Sequence, residues 1–374
     1  MSRRAVGAPP GVNGRSSVGI ALERLSAGSD DLPAGRPRPT ADSYVICRRS
    51  GLATAAAAAA NFMQVGANHG GTHMVEFDTR VRNPVVNRTG IVPSPGQGNT
   101  AMRHRILAEL GRADLSMARL GAAHIDALAI LHEGGREPLE GVLYGVWAGD
   151  DLPDKLHAKR VEGYWSVTGV KQFCSAAPLV SAALVTVHSE RGLLLFEVQL
   201  STRGIRIERA SGANPTVADP LVSPVSFDRV MLSEASVVGG PDWYRNRPAY
   251  WHGAIGTAAC WAGGAKSLVD AARQLHRKNP QSQLQAHVAA LDASAWNMTS
   301  ILDRAGREID ADPHDRHGGA RRRALMVRHL IEQNCAQVLD RFARTAGSQL
   351  LACDEHVVRQ RTALSAFIRQ CHGE

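Results

Sequence analysis

The spacing of apolar residues changes twice along this chain. Over 103–131 they recur at helical intervals, at Ile106, Leu110, Leu115, Leu120, Ile125, Leu128 and Leu131. Gly111 and Gly121 interrupt that run, so it reads as one helix or two, and Gly134-Gly135 ends it. Over 141–235 the period shortens. The runs 143–147, 164–168, 179–188, 193–200, 204–209 and 222–232 alternate or are β-branched, and turns such as Glu162-Gly163 and Glu190-Arg191-Gly192 part them. Strands with no helices between them predict an antiparallel barrel or sandwich. Over 246–372 the helical period returns. Leu284, Val288, Leu291, Ala295, Met298, Leu302 and Ala305 form one stripe, and Val327, Ile331, Cys335, Val338 and Phe342 form another. Such stripes bury one face in a helical bundle. Before them, 254–275 is rich in small residues, among them Ala258, Ala259, Gly263 and Gly264, which permit close helix approach. Pro280 parts this stretch from the next helix, and a last helix is expected from about 357 to 371.

The predicted fold class is therefore α+β, in the order helices, sheet, helical bundle. Residues 1–40 are basic and rich in Gly, Pro and Ser, and are expected to be disordered. Residues 41–137 are expected to be mainly helical, with one helix placed near 52–65 in a stretch that has no sustained periodicity. Residues 138–243 are the predicted middle β domain, and 244–374 the predicted C-terminal bundle.

Composition narrows the function classes. Hydrophobic residues make up 44% and charged residues 21%, a globular balance that excludes wholesale disorder. Aromatic residues are only 5%, so the cores must be built from small aliphatics. The formal net charge of +8 suits nucleic acid or a phosphorylated cofactor, and no nucleic-acid-reading motif accompanies it. Nucleic acid is accordingly not an expected partner. Cys47, Cys174, Cys260, Cys335, Cys353 and Cys371 include no C-x-x-C pair, which predicts reduced thiols in a cytoplasmic protein. No apolar run is long enough to span a membrane, and the Ala run 55–60 lies too deep for a signal peptide. No Gly-x-Gly-x-x-Gly follows a strand, no Gly-x-Ser-x-Gly elbow occurs, and no His-x-x-x-His lies on a convincing helix, so no metal is expected. Arg321-Arg322-Arg323 reads as a solvated helix start, with phosphate binding as the lesser reading.

One segment is more specific. Gly163-Tyr164-Trp165-Ser166-Val167-Thr168-Gly169-Val170-Lys171-Gln172-Phe173-Cys174-Ser175-Ala176-Ala177 resembles the middle domain of acyl-CoA dehydrogenases. There a Gly-x-Trp-x-(Leu/Ile)-x-Gly-x-Lys segment leads into an aromatic residue and then a hydroxyl residue. Val225-Ser226-Phe227-Asp228-Arg229-Val230 resembles the strand that closes that domain, and the helices that follow resemble its C-terminal bundle. The resemblance covers about 101–372.

It implies FAD as cofactor. Phe173 then covers one face of the isoalloxazine ring and Ser175 bonds near N5, with Cys174 between them. Taken by themselves, Phe173 reads as a core aromatic and Ser175 as a strand-end hydroxyl. Trp147 and Ala148 fall where a flavin-contacting loop lies. The family's Thr-Glu-Pro is absent there, so contacts must be mainly backbone. Arg277 stands where an arginine reaches the flavin pyrophosphate of a neighbouring subunit, although Asn279-Pro280-Gln281 replaces the usual Phe-Gly. It reads equally as a helix-end cation. Arg344 occupies the place of a glutamine before Gly347-Ser348.

The implied reaction is α,β-desaturation of an acyl thioester, carried on coenzyme A or an acyl carrier protein. A weakly acidic α-proton needs a positioned base. The family's glutamate position holds Gln370, which cannot act as one, and His372 and Glu374 are the nearby groups able to move a proton. Some relatives carry the base earlier, where Glu332 and Asp340 stand, though both read as solvated helix carboxylates. His124 and Asp126 lie on the helix that lines the substrate side. His124 reads either as facing the flavin or as a buried polar residue. The chain stops at Glu374, which suggests a truncated or diverged end. A homodimer or homotetramer through the bundle is expected, with a flavoprotein as a possible electron acceptor. Two rival readings share the scaffold: a flavin-dependent monooxygenase, and a catalytically degenerate paralogue.

Overall fold

A computed structural model describes residues 92–149, 156–208, 222–278, 280, 282–345 and 354–369. All of them belong to a single unit, Arg48–Glu374. The tail 1–40, the helix expected near 52–65, and Gln370, His372 and Glu374 lie outside the described residues.

The 103–131 periodicity resolves into two helices, α1 (Thr100–Ala113) and α2 (Leu115–Glu133). The break falls at Asp114 rather than at a glycine. Asp114 is extended, and its carboxylate accepts the Met117 N–H at 3.1 Å, which caps α2. Gly111 stays helical because it is a point of close approach: a Cβ there would stand 2.2 Å from the Cys260 carbonyl oxygen.

The strands follow: β1 (Tyr144–Trp147), β2 (His157–Val161), β3 (Tyr164–Ser175), β4 (Ala182–Ser189), β5 (Gly192–Gln199), β6 (Ile205–Ile207), β7 (Val222–Leu232) and β8 (Val237–Val238). They form one sheet in the order β6-β7-β3-β2-β4-β5-β8, with β1 beside β4. The antiparallel pairs are β2–β3, β3–β7, β4–β5, β5–β8 and β6–β7. The sheet is not wholly antiparallel, however, because β1 and β2 both run parallel to β4. Neither is joined to β4 by a hairpin, so nothing forces an antiparallel register. β2 was not legible as a strand because only Ala158 of it is buried.

The C-terminal part holds the short α3 (Trp243–Asn246), α4 (Pro248–Lys278), α5 (Ser282–Ala311), α6 (Ala320–Thr345) and α7 (Glu355–Phe367). Both predicted stripes are buried except for the partly buried Leu284, and share one core with Leu107, Trp261 and Leu268. The small residues of α4 act as expected: a Cβ on Gly263 would lie 1.9 Å from the Ala108 carbonyl oxygen, so α1 and α4 touch backbone to backbone. A second core lies under the sheet around Trp165 and Phe196, and a third joins α2 to β1, β4 and β5. No helix among the described residues is long and apolar enough to cross a membrane. Among them no group of His, Cys, Asp and Glu could hold a metal ion.

Candidate functional site

A cleft of about 940 Å³ opens where the ends of β1 and β3 face α2, the start of α4, α6 and the end of α7. The register between β3 and β7 shifts between Lys171 and Cys174, which face Val225 and Ser223. β3 therefore carries one extra residue there, a bulge that re-aims its side chains. Phe173 takes φ 53°, the left-handed region that a bulky residue rarely enters, and its side chain stands 73% exposed on the cleft. Cys174 turns into the sheet core instead, fully buried. Its S–H donates to the Lys171 carbonyl at 3.2 Å, and burial pushes its thiol up to about 12. Its side chain is packing and does not line the cleft.

Ser175 returns to the cleft rim. Its carbonyl accepts the Trp147 indole N–H at 3.0 Å, which ties the end of β1 to the end of β3. Trp147, Ala148 and Gly149 line the cleft directly after it. Behind them Lys171 Nζ donates to Thr186 Oγ1 at 2.8 Å and to its carbonyl at 3.2 Å, linking β3 to β4. Of the residues singled out in the sequence, Trp147, Ala148, Phe173 and Ser175 are thus brought together on one wall.

Asp126 reaches the cleft from α2 and is ion-paired with the buried Arg103. Burial raises its carboxyl, against the opposing pull of the Arg103 and Arg247 guanidiniums. His124 cannot share its face, since residues two apart on a helix point in different directions. Nδ1 of His124 accepts the Tyr144 N–H at 3.2 Å and the ring stacks on Tyr144, so it is a buried polar residue beside a separate cavity of about 420 Å³.

Arg277 is exposed in the last turn of α4, and Arg344 is exposed on α6, paired with Asp340 at 3.1 Å. Neither lines the cleft of its own chain, and neither do Glu332 and Asp340.

Of the opposite wall, sequence reasoning named only Arg321, in the run read as a helix start. Arg119, Arg245, Arg247, Arg321, Arg328 and Arg369 line the cleft there and Lys171 lines it from β3, against a single carboxylate, Asp126, among the described residues. Arg328 is buried and lies 5.1 Å over the Trp261 ring; Arg321 lies 5.5 Å over Trp251. Arg247 pairs with Glu133 at 2.6 Å and packs 5.1 Å over Tyr244. The available signal was slight: Arg321 and Arg328 are seven apart, and Arg328 directly follows Val327 of the apolar stripe.

No protein-family model matches the sequence, and no curated protein does. Solved structures do match the fold. Butyryl-CoA dehydrogenase from Megasphaera elsdenii superposes with a TM-score of 0.63 at 13% identity, over 74% of this chain and 79% of that one. The nitrososynthase from Micromonospora carbonacea var. africana gives 0.63 at 17% identity, over 78% and 83%. PigA, solved with FAD and proline, gives 0.62 at 15% identity, over 72% and 77%. The chain has the acyl-CoA dehydrogenase-like fold.

Proposed function

We propose that this chain is an FAD-dependent oxidoreductase, and that its reaction is α,β-desaturation of an acyl thioester. The observation that carries the flavin reading is Phe173, held on a bulge in a strained conformation and projected into the cleft beside Ser175. A core aromatic would not be 73% exposed. The cleft wall fits a flavin by its chemistry: a flat aromatic face, a hydroxyl two residues on, and the backbone of 147–149 at the rim. PigA, which shares the fold, was solved with FAD.

FAD, when bound, supplies a two-electron acceptor. Phe173 would cover one ring face and exclude water there. Ser175 would donate a hydrogen bond toward N5, and backbone N–H groups of 147–149 would meet the polar edge. Arg277 and Arg344, solvated on their own chain, are the groups that would reach the pyrophosphate of a second copy in a dimer or tetramer. His372 and Glu374 are the candidate proton acceptors for desaturation.

A second reading on the same scaffold is oxygen activation by reduced flavin. The test is the visible spectrum of the full chain after incubation with FAD and desalting. Retained flavin bands that bleach anaerobically with butyryl-CoA support desaturation. Retained bands that no acyl thioester bleaches, with oxygen consumption on adding reduced flavin, support the second reading. No retained flavin would sink both and leave a scaffold protein.

A further inference from the structure

Asp126 is the single carboxylate on the cleft among the described residues, and only one of its oxygens is committed. The buried Arg103 guanidinium donates to Oδ1, and its other arm donates to the Pro93 carbonyl at 3.0 Å, which fixes the pair. Oδ2 has no partner among the described residues, and the Asp126 side chain is 30% exposed. Its neighbours one turn away on the cleft face of α2 are Ala122, Ala123, Ala129 and Ile130, so no long polar side chain of that helix covers it. Beyond α2 the cleft is lined by rings. Tyr244 and Tyr250 meet edge to face at 5.4 Å, and Tyr250 and Trp251 at 5.1 Å; Trp261 and Phe367 line the same cleft. Aromatic residues are only 5% of the sequence, yet five of them gather on this side. Burial pushes the Tyr244 hydroxyl up and the nearby Asp126 charge adds to it, which sets the carboxylate close to the first ring of the series.

We infer that Asp126 is a specificity-determining residue, and that the substrate's acyl part ends in an aromatic ring whose neutral O–H or N–H donates to Asp126 Oδ2. Arg103 already meets the charge of the carboxylate, and Arg247 also acts on it, so the open oxygen calls for a neutral donor rather than a second cation. A substrate without a donor would strip water from Oδ2 and put nothing in its place, which is costly. A site built to bond a hydroxyl rejects the analogue that lacks it for that reason. The rings favour a further ring, because aromatic pairs gain from edge-to-face and offset contacts that an alkyl chain does not make. This deepens the proposed function, on which it rests for the thioester, by naming the far end of the acyl group.

The test titrates the purified full chain by calorimetry, with and without FAD, using N-acetylcysteamine thioesters of four acids: meta- and para-hydroxyphenylpropanoic, phenylpropanoic and cyclohexylpropanoic. The better hydroxyphenyl compound should bind about tenfold tighter than the phenyl one, and the phenyl about threefold tighter than the cyclohexyl. Asp126→Asn keeps the size of the side chain but loses the charged acceptor, so it should abolish the preference for the hydroxyl and keep the preference for the ring. If that variant does not fold, Asp126→Asn combined with Arg103→Met carries the same comparison, and the order of affinities in the wild type decides without any variant. The expected order in a chain that takes up no FAD would uphold the inference and sink the flavin reading alone. Retained FAD with equal affinity in either pair of probes would overturn the inference and leave the flavin reading standing. A hydroxyl preference that survives in Asp126→Asn, or no binding of any of the four, would also overturn it.

Discussion

On the sheet side of the cleft, one strand presents Phe173 and Ser175 through a bulge, locked from behind by Lys171–Thr186 and Trp147–Ser175 hydrogen bonds. On the helical side, α6 presents guanidiniums laid over indoles of α4, and α4 itself packs on α1 with no side chain between the backbones at Gly263. The first wall is a local device, built within a few consecutive residues. The second is an assembled one, which exists only when separate helices dock. A local device leaves a motif in the sequence, whereas an assembled one leaves scattered arginines.

Away from the cleft, two buried histidines are held neutral between elements, and acid should loosen both contacts. His104 of α1 bonds the Leu302 carbonyl of α5, and His124 of α2 accepts from Tyr144 of β1. Burial lowers each from 6.5 to about 4. Between those values the unfolded chain binds protons that the folded chain refuses. The stabilisation is therefore full above about pH 6.5 and lost as pH falls toward about 4. Urea unfolding should show a loss of roughly 3 kcal/mol or more across that window. A flat profile would show that the two rings are not desolvated.

Asp126→Asn attacks the junction between the walls. It leaves the buried Arg103 guanidinium without its carboxylate and should cost about 3 kcal/mol in unfolding free energy. Adding Arg103→Met should recover part of that loss, since the uncompensated charge is then gone. If the single variant is neutral, the pair is a surface contact and the cleft floor is wetter than described.

Phe173→Gly separates stability from function on the sheet wall. Glycine accepts φ 53° without strain, so the variant should gain about 1 kcal/mol of stability. A loss of stability would mean that Phe173 packs as a core residue.

Arg344→Gln should be the smallest effect, within about 0.5 kcal/mol, because its pair with Asp340 is exposed. A fall in FAD affinity in that variant, with stability unchanged, would place Arg344 on a second copy's cofactor.

The element order and most of the sheet were legible because each stripe or alternation has a single buried face. The β3 motif carried five cleft-lining residues, Val170, Lys171, Gln172, Phe173 and Ser175. Cys174 was named by resemblance, between Phe173 and Ser175; the bulge, which the sequence does not announce, turns its thiol inward. His124 and Asp126 were grouped by sequence proximity, although the helix separates their faces. The basic wall was illegible because Arg119, Arg247, Arg321 and Arg328 come from α2, the segment between α3 and α4, and α6, and only docking gathers them.

The most direct measurement is equilibrium binding of FAD to the full chain, wild type beside Phe173→Ala. The account predicts about one FAD per wild-type chain, and an affinity weakened tenfold or more in the variant, with unfolding free energy held within about 0.5 kcal/mol. Absence of FAD binding by the wild type, or equal affinity in the two proteins, would contradict it.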